Sequence, residues 1–449
     1  MWWPISVLAS LLAVIVAANA KVQLPFLELG TDYWAFLVCG SRNYTNYRHQ
    51  ADVAHGYHTM LNLGVRPDRI ITMMFDDVAL SKENPRPGVL INSPNGPDVY
   101  KGVIVDYKGW DVTPENFLKV LSGNKTAMKG IGSGRVIESD SNSTVFVYFV
   151  DHGGPGVLFF PDYVPLGADD LHNTLANMYR KKQYKNMILF IEACFVGSLF
   201  EEIIEEHTNI LVFSATARDE GSWPWYCDGV NVTSCKGDEF SIKLWEYMDS
   251  VNPGEYKTLN EMYQRVRTGI SHSHLNLYGD LSLGAFSFIP NKLGKKQVKT
   301  GSRTLETTQQ KSVKPTDTQI FYLEQTIAQS KNLQTRLNAQ KELDNLLSGR
   351  TRFDEMMAHL VTVATADAPQ LREKVNNVHL PLNLDIFPCY RELYESFRKY
   401  CFSIQDDYVL SQMYKLANIC VLHINTAKLL REMPRICKPY GQLGSTTAS

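Results

Sequence analysis

The sequence lacks the features that mark membrane-spanning, nucleic-acid-binding and metal-binding chains. After residue 20 no apolar run reaches the roughly 20 residues that a helix needs to cross a bilayer, so no membrane span is expected. The one stretch rich in Lys and Arg, residues 291–318, has no interleaved aromatic residues, which argues against nucleic-acid binding. His49, His55 and His58 lack Cys or carboxylate partners at a metal-ligand spacing. We therefore expect neither a metal nor a cofactor.

The first 20 residues have the composition of a secretory signal peptide. They are apolar from Ile5 to Ala18 and end in Ala-Asn-Ala, a small-residue pattern typical of signal cleavage. The alternative is a membrane anchor, which the short length of the run disfavours. Secretion agrees with four N-glycosylation sequons, at Asn43, Asn124, Asn142 and Asn231.

Two short apolar runs, residues 144–150 and 186–193, predict buried strands of a parallel sheet, because β-branched and aromatic residues dominate them. The first run leads into the sequence DHGGPG, and the second leads into EAC followed by GS. Functional groups collect at the carboxyl ends of strands in an open α/β sheet. We therefore expect His152 and Cys194 to lie side by side.

A paired His152 and Cys194 would support nucleophilic catalysis. The thiolate is the nucleophile, and a neighbouring imidazole lowers the pKa of the thiol and accepts its proton. The glycines after His152 let a backbone N–H approach a developing oxyanion closely. Either residue alone is more often a buried structural side chain, but both together, each at a strand exit beside glycines, favour a catalytic dyad.

The rest of the first 290 residues continues the α/β pattern. Apolar residues at helical spacing from Ala51 to Leu61 predict a helix, and Gly64 suits its C-cap. Residues 81–116, rich in Pro and Gly, predict a long irregular segment. Further strands are predicted at residues 33–40, 69–75, 210–217 and 284–289.

At these motifs the sequence resembles the legumain family of asparaginyl endopeptidases. The resemblance rests on NYRHQAD at 46–52, VDHGGPG at 150–156 and EAC-x-x-GS at 192–198, and it covers nearly the whole chain after residue 20. It implies a caspase-like α/β fold over residues 21–290, with a mostly parallel six-stranded sheet flanked by helices. It also implies an all-α C-terminal prodomain that caps the active site.

The resemblance also implies roles for individual residues. Cys194 would be the nucleophile, His152 the base and Asn46 a third member that orients the imidazole. The N–H groups of Gly153 and Cys194 would hold the oxyanion. The pair Phe195-Val196 departs from the small or acidic polar residues that legumains usually carry there, which bears on the shape of the primed-side cleft.

The specificity pocket has a physical logic. An asparagine amide offers one carbonyl acceptor and an NH2 with two donors, so a selective pocket needs a fixed donor and a fixed acceptor. Arg48 is the predicted donor, and Glu192 and Asp238 are the predicted acceptors. The resemblance adds His49 and Ser222. We expect cleavage after Asn, and after Asp only at low pH.

Charge divides the chain into three parts. Residues 1–290 carry 23 Lys/Arg and 32 Asp/Glu, residues 291–318 carry 7 and 2, and residues 319–449 carry 15 and 13. The middle part, which has few large apolar residues, is predicted to be an exposed linker. The last part has apolar residues at helical spacing. An acidic enzyme domain and a basic remainder attract each other, so we expect the tail to inhibit intramolecularly until acid releases it.

Self-cleavage is expected to remove this tail. The preferred site is Asn332, near the start of the tail where legumain zymogens are processed. Asn291 and Asn338 are the alternatives.

Cysteine spacing predicts covalent cross-links in a secreted chain. Cys227 and Cys235, eight residues apart, are predicted to form a local disulfide. Four further cysteines in the C-terminal part allow three pairings. Resemblance to the legumain prodomain favours Cys389–Cys420 and Cys401–Cys437.

These observations predict a monomeric cysteine endopeptidase zymogen that acts on proteins and peptides in a lysosome-like or other acidic compartment of the secretory pathway. Cystatin-type inhibitors are further expected partners. An Asn-specific peptide ligase of the same fold is the alternative. The related GPI-transamidase subunit is disfavoured because a C-terminal membrane span is missing, and a caspase by the signal peptide and the disulfide candidates. A non-catalytic binding or storage protein is disfavoured by the intact His152 and Cys194.

Overall fold

The computed structural model describes residues 32–227, 234–252, 255–288, 312–401 and 407–440. The predicted signal peptide, the sequon at Asn231, the candidate cleavage site Asn291 and most of the predicted linker lie outside these residues.

A six-stranded sheet forms the centre of the first part of the chain, with strand order β11-β8-β7-β3-β1-β2. All its neighbouring strands are parallel except the antiparallel edge pair β8 and β11. The predicted mostly parallel six-stranded sheet is therefore confirmed. The strands of the described residues are β1 (Asp32–Cys39), β2 (Ile70–Met73), β3 (Ser143–Val150), β4 (Gly153–Gly154), β5 (Val157–Phe160), β6 (Val164–Gly167), β7 (Asn186–Glu192), β8 (Ile210–Ser214), β9 (Pro224–Trp225), β10 (Gly237–Asp238) and β11 (Asn276–Gly279).

The prediction of the sixth strand at residues 284–289 was wrong. The sixth strand is β11, and Leu281–Ala285 forms a 3-10 helix instead. The chain turns after Gly279, which has φ +83°, and Asp280 caps the 3-10 helix by accepting from the N–H of Ser282. Residues 284 and 285, for which composition predicted a strand, therefore lie in the 3-10 helix that follows the edge strand.

Helices cover both faces of the sheet. Successive residues of β1 and β3 face opposite sides, so Phe36 and Val147 belong to one apolar core while Leu37 and Tyr148 belong to the other. The predicted helix near Ala51 begins earlier than expected, and Gly64 follows its end with φ +88°. The helices of this part are Tyr47–Asn62, Pro114–Leu121, Ala168–Arg180, Gly197–Phe200, Glu239–Ser250 and Leu259–Gly269.

The described residues of the C-terminal part form helices and connecting segments without any strand, as predicted. Its apolar core is continuous with one face of the sheet, because Phe353 and Leu393 join the same cluster as Phe36. The helices of this part are Thr318–Gln329, Leu333–Ala364, Arg372–Asn377, Phe387–Tyr400, Asp407–Leu410, Tyr414–Val421 and Ala427–Cys437. No helix among the described residues is both long and apolar enough to cross a membrane.

The predicted linker boundary at residue 318 needs correction. Pro315–Asp317 already forms a 3-10 helix, and Thr318 begins an α-helix. Arg350 fixes this turn, because its guanidinium lies 2.9 Å from a carboxylate oxygen of Asp317. The end of the basic stretch is therefore part of the folded C-terminal region.

Three disulfides are present. They join Cys227 to Cys235, Cys389 to Cys420 and Cys401 to Cys437. The first closes the loop that precedes β10, and the other two link helices of the C-terminal part. Among the described residues, Cys39 and Cys194 are free thiols, and both are buried.

Candidate active site

The register of two central strands places His152 beside Cys194. Val150 of β3 is paired with Glu192 of β7, and each of the two candidate residues lies two positions beyond its member of that pair. The N–H of Asp151 donates to the Glu192 carbonyl at 3.1 Å and extends the contact past the strands. The structure thus brings together the His and Cys that the sequence predicted as a dyad.

Gly153 has to be glycine for this approach. A Cβ atom at that position would lie 2.2 Å from the carbonyl oxygen of Cys194 and 3.0 Å from Cβ of Ala193. Any side chain would push the loop after His152 away from the strand that carries Cys194. The absence of a side chain at Gly153 therefore maintains the spacing of the dyad.

Asn46 orients the imidazole of His152. Its Nδ2 donates to the Arg42 carbonyl at 3.0 Å, which turns its Oδ1 toward Nε2 of His152 at 2.9 Å. An acceptor at Nε2 keeps the proton on that nitrogen, and Nδ1 is then the atom that exchanges a proton. The catalytic role of Asn46 stays a prediction, which this contact supports.

The sequence did not identify the group on the other nitrogen. Nδ1 of His152 lies 2.6 Å from a carboxylate oxygen of Asp407, which comes from the C-terminal helical part. Burial lowers the pKa of His152, but the carboxylate outweighs it and raises that pKa above its ordinary value. Burial works against the charge of Asp407 as well, yet His152 holds the carboxyl pKa below its ordinary value. The two residues therefore form a buried ion pair.

This pair deprives Cys194 of its cationic partner. Burial and the nearby charge of Asp407 raise the pKa of the Cys194 thiol well above its ordinary value. The Sγ atom accepts a hydrogen bond from the N–H of Ser222 at 3.3 Å. Burial and the charge of Asp407 both favour the neutral thiol of Cys194 over the thiolate.

Two rings flank the His152 imidazole. The Tyr163 ring is stacked on it, with centroids 5.5 Å apart and an angle of 21° between the planes. The ring of His49 meets it edge-on at 5.3 Å. His49 is buried, and its Nδ1 is hydrogen-bonded to the Ser41 hydroxyl at 2.7 Å. These contacts restrict rotation of the imidazole.

Arg48 and Asp238 form the centre of the predicted specificity pocket. Arg48 Nε donates to Asp238 Oδ1 at 3.0 Å, and both side chains are buried. The second oxygen, Oδ2 of Asp238, has no hydrogen-bond partner among the described residues and lies 3.5 Å from Nε2 of His49. Nη1 of Arg48 also has no hydrogen-bond partner there. The pocket thus holds one unused donor and one unused acceptor, both buried.

Glu192 lies at the end of β7, as predicted, and its carboxylate contacts two serines. One of its oxygens accepts from the Ser222 hydroxyl, and the other accepts from both the N–H and the hydroxyl of Ser241 at 2.9 Å. Burial and the charge of Asp238 raise its pKa to about 8. Both oxygens are thus already hydrogen-bonded, so Glu192 supports the pocket wall through Ser222.

Behind the pocket lies a second layer of hydrogen-bonded polar side chains, which the sequence analysis did not identify. Asp52 accepts from the N–H of Asp238 at 3.0 Å and from the side-chain amide of Asn92 at 2.7 Å. Asn92 Oδ1 lies 2.7 Å from Nδ1 of His55, and His55 Nε2 lies 3.0 Å from Asp249. Arg48, Asp52 and His55 recur at helical spacing, so a polar stripe on one buried helix face was the available signal.

The sequence analysis considered His49 together with His55 and His58, but in the structure His49 lies beside Asp151 and His152. Its ligand atom and those of Asp151 and His152 all lie within 4.8 Å of one another. Both nitrogens of His152 are already hydrogen-bonded, to Asp407 and Asn46. We assign this cluster to the catalytic centre.

The sequon residues Asn43, Asn124 and Asn142 are exposed, and their glycosylation stays a prediction. The candidate cleavage sites differ in local structure. Asn332 is exposed and caps the helix Leu333–Ala364, because its Oδ1 accepts from the N–H groups of Gln334 and Thr335. Asn338 lies inside that helix.

Comparison with known proteins agrees with this geometry. The model of the peptidase C13 family matches residues 33–290, and the legumain prodomain model matches residues 341–437. Legumain from Bos taurus is 33% identical over 444 residues, which cover 98% of this chain and 100% of that protein. Vacuolar-processing enzyme from Citrus sinensis is 33% identical over 422 residues, covering 90% and 85%. Hemoglobinase from Schistosoma japonicum is 32% identical over 410 residues, covering 90% and 92%.

The family predicted from three motifs is therefore confirmed over nearly the full length of the chain. The mostly parallel sheet flanked by helices and the helical C-terminal part agree with the two family models. The chain belongs to the peptidase C13 family, that of the legumain-type cysteine endopeptidases, and carries a legumain prodomain.

Proposed function

We propose that this cysteine endopeptidase cleaves peptide bonds after asparagine and that its prodomain keeps it inactive until acid releases it. The observation that carries the specificity is the pair of unused buried groups, Nη1 of Arg48 and Oδ2 of Asp238. Buried polar atoms are almost always hydrogen-bonded, so an exception calls for a missing partner. A primary amide supplies both an acceptor for the guanidinium and a donor for the carboxylate.

The same pair discriminates against aspartate. An ionised aspartate has no NH2 to donate to Asp238 and brings a second anion beside that carboxylate. A protonated aspartate is closer to an isostere of asparagine. Cleavage after Asp is therefore expected only toward the ordinary carboxyl pKa of ~4.

Catalysis follows from the geometry of the dyad once Asp407 has left. His152 Nδ1 takes the thiol proton, and the Cys194 thiolate attacks the carbonyl carbon of the bound asparagine. The N–H groups of Gly153 and Cys194 stabilise the oxyanion. His152 then protonates the departing amine, and a water molecule that it activates hydrolyses the thioester.

Two contacts made by residues C-terminal to the catalytic part support the inhibition. Asp407 occupies the proton-exchanging nitrogen of His152. Pro315 lies beside the nucleophile, because a Cβ at Gly221 would be 2.9 Å from Pro315 Cγ and 3.8 Å from Cys194 Sγ. Substrate and prodomain therefore compete for the same space.

Acid release is supported by an ion pair in which the prodomain supplies the positive charge and the catalytic part the negative charges. Arg391 of the prodomain lies 2.7 Å from Asp169 and 3.0 Å from Asp170 of the catalytic part. Acid removes the negative charges of a carboxylate surface while Arg keeps its charge. Attraction between the acidic catalytic part and the basic remainder then weakens. An acidic compartment of the secretory pathway fits this trigger.

The test uses acid-treated protein and four matched peptides that differ only in Asn, Asp, Gln or Ala before the cleaved bond. Cleavage is expected after Asn at neutral pH and to be lost in the Cys194→Ala protein. Asp238→Asn places a donor against the substrate NH2, and a lost hydrogen bond to a charged group predicts a roughly 10- to 100-fold fall in kcat/KM for the Asn peptide. Equal cleavage of the Asn and Gln peptides, or unchanged activity in Asp238→Asn, would contradict this pocket.

A further inference from the structure

Phe195, the residue directly after the nucleophile, is held in an unusual backbone conformation. Its φ is +61°, in the left-handed region that bulky residues rarely adopt. The N–H donates to the Glu220 carbonyl at 2.8 Å, and the carbonyl accepts from the N–H of Ser198 at 2.9 Å. These bonds fix the direction in which the ring leaves the backbone. Strain of this kind, held by the surroundings, is characteristic of functional sites.

The ring of Phe195 is covered by the prodomain. The imidazole of His379 is stacked on it, with centroids 5.9 Å apart and an interplanar angle of 15°. The ring of Tyr414 is stacked in turn on the His379 imidazole, with centroids 3.9 Å apart. Phe195 is only 6% exposed under this cover. Removal of the prodomain takes away both covering rings.

The segment that carries His379 continues along the active site. Residues 378–383 form no helix or strand, and Val378 and Asn383, at its two ends, have extended backbone angles. Three residues after His379, Leu382 meets the loop that follows His152, because a Cβ at Gly156 would lie 2.8 Å from Leu382 Cδ1. One extended stretch therefore reaches from the residue after the nucleophile to the loop after the base. A bound substrate chain has to pass between the same two loops.

We propose that Phe195 is a specificity-determining residue whose ring, once the prodomain has left, binds an aromatic or imidazole side chain of the substrate on the leaving side of the scissile bond. The inference rests on the proposed function, in which the substrate asparagine before the cleaved bond occupies the pocket of Arg48 and Asp238. Glu192, before Cys194, faces that pocket through Ser222, whereas Phe195, after Cys194, faces the prodomain segment. His379 thus marks where a substrate side chain would stack.

Stacking on the Phe195 ring determines which substrate side chains are expected to bind more tightly. Stacked aromatic pairs gain more than their buried area alone provides, and this corresponds to a roughly threefold to tenfold preference over an aliphatic side chain of similar size. The Gly-Gly-Pro-Gly sequence at 153–156, in the loop after His152, lacks large side chains. The preference belongs to a single substrate position, because Phe195 presents one ring.

The first test measures a ratio within each variant. Peptides with Asn before the cleaved bond carry Phe or Leu at one following position at a time, and the ratio of their kcat/KM values is taken for wild type, Phe195→Tyr and Phe195→Asn. Asn tolerates the left-handed conformation, and Tyr keeps the ring. We expect a roughly threefold to tenfold ratio at one position in wild type and Phe195→Tyr, and a ratio near one in Phe195→Asn. A ratio near one in wild type, or an equal ratio in Phe195→Asn, would overturn the proposal.

The second test needs no variant enzyme. A synthetic peptide of residues 378–382, which contains no asparagine after which the enzyme could cut, is expected to inhibit the activated wild-type enzyme competitively, and replacing its His379 by Phe should preserve inhibition. Replacement by Leu should raise the inhibition constant roughly threefold to tenfold. Equal inhibition by the His and Leu peptides would refute the stacking. Cleavage after Asn in the Leu substrates tests the proposed function separately, since it does not depend on the aromatic preference.

Discussion

The carboxylate of Asp407 lies 2.6 Å from Nδ1 of His152 and joins the prodomain to the catalytic base through a buried ion pair. Asn46 occupies the other nitrogen at 2.9 Å. The imidazole of the zymogen is thus hydrogen-bonded on both sides and has no free nitrogen for the Cys194 thiol. The inhibition that we propose would therefore combine steric cover with a change in the protonation of the dyad.

Replacing Asp407 by Asn should weaken latency. The change keeps the shape and a hydrogen-bonding group but removes the charge that raises the pKa of His152. Hydrogen bonds to charged groups contribute about 1.5–3 kcal/mol against about 1 for neutral ones, so we expect roughly tenfold faster self-cleavage at a given pH. The loss of full-length protein is followed by gel electrophoresis over time. The exposed prodomain variant Glu355→Gln is the control, and equal rates in both variants would refute the role of Asp407.

The ion pair between Asp407 and His152 predicts how the stability of the closed, prodomain-bound form depends on pH. Asp407, whose pKa is lowered in the closed form, contributes stability above its free pKa and loses it as the pH falls through the lower closed-form pKa. His152, whose pKa is raised, contributes stability below its free pKa and loses it as the pH rises through the higher closed-form pKa. The pair therefore stabilises the closed form between these two limits.

Thermal unfolding of the Cys194→Ala zymogen tests this window. The difference in Tm between the proteins with and without Asp407→Asn should be largest in the middle of the window and shrink on both sides. Because Asp407 resists protonation, moderate acidification should leave most of this difference in place, and other contacts such as Arg391–Asp169 should account for acid release. A difference that rises continuously toward acid pH would contradict the ion pair.

Tyr163 is expected to position the catalytic imidazole. Asp162 and Tyr163 have φ of +60° and +56°, and Arg42 holds the turn through an ion pair with Asp162 at 2.6 Å. Loss of ring stacking on His152 in Tyr163→Leu should lower kcat roughly threefold to tenfold with little change in KM. Tyr163→Phe keeps the ring and should retain kcat. Steady-state kinetics across pH that show equal kcat in the two variants would remove this role.

Asn92 should support the specificity pocket from behind. Its amide donates to Asp52 and to the Lys236 carbonyl, which flanks β10, so Asn92→Ala leaves buried groups without partners. Each buried group left without a hydrogen-bond partner lowers the free energy of unfolding by about 1–3 kcal/mol. We therefore expect a raised KM for Asn peptides as well as a lower Tm. Asn84→Ala, which removes a buried amide that bonds to Ala79 and Val89, is the matched control. It should lower Tm while leaving KM unchanged; a parallel rise in KM would make the effect of Asn92 nonspecific.

The elements that sequence reasoning located best are those with strong local signals. The apolar runs at β3 and β7 are followed at once by His152 and Cys194, and the parallel pairing of the two strands then dictates their proximity. The edge strand β11 was missed because its residues are only half-buried and its pairing with β8 is long-range. Composition alone favoured the neighbouring residues 284–289, of which 284 and 285 belong to a 3-10 helix.

Sequence reasoning missed Asp407 and the hydrogen-bond partners of Glu192 for a different reason. Asp407 reaches His152 only because the prodomain core joins the sheet, and no local pattern records a contact across 255 residues. Glu192 was correctly placed at the strand end, but the serines that occupy its oxygens come from a loop and a helix far along the chain. Contacts between distant segments depend on the packing of the whole fold.

The last prediction concerns the site of self-cleavage. Asn332 is exposed between two helices, whereas Asn338 is held by helical hydrogen bonds, and exposed connections are the preferred sites of proteolysis. Because Asn332 also caps its helix, Asn332→Ser separates the two roles: Ser is a good N-cap residue but not a substrate side chain. At pH ~4, where carboxylates begin to lose their charge, we expect wild type to gain a new N-terminus at Leu333 and Asn332→Ser to lack it. Mass spectrometry of the products identifies the cut, with Asn338→Ser and Cys194→Ala as controls. Cleavage after residue 332 that persists in Cys194→Ala, or an unchanged product pattern in Asn332→Ser, would exclude Asn332 as the self-processing site.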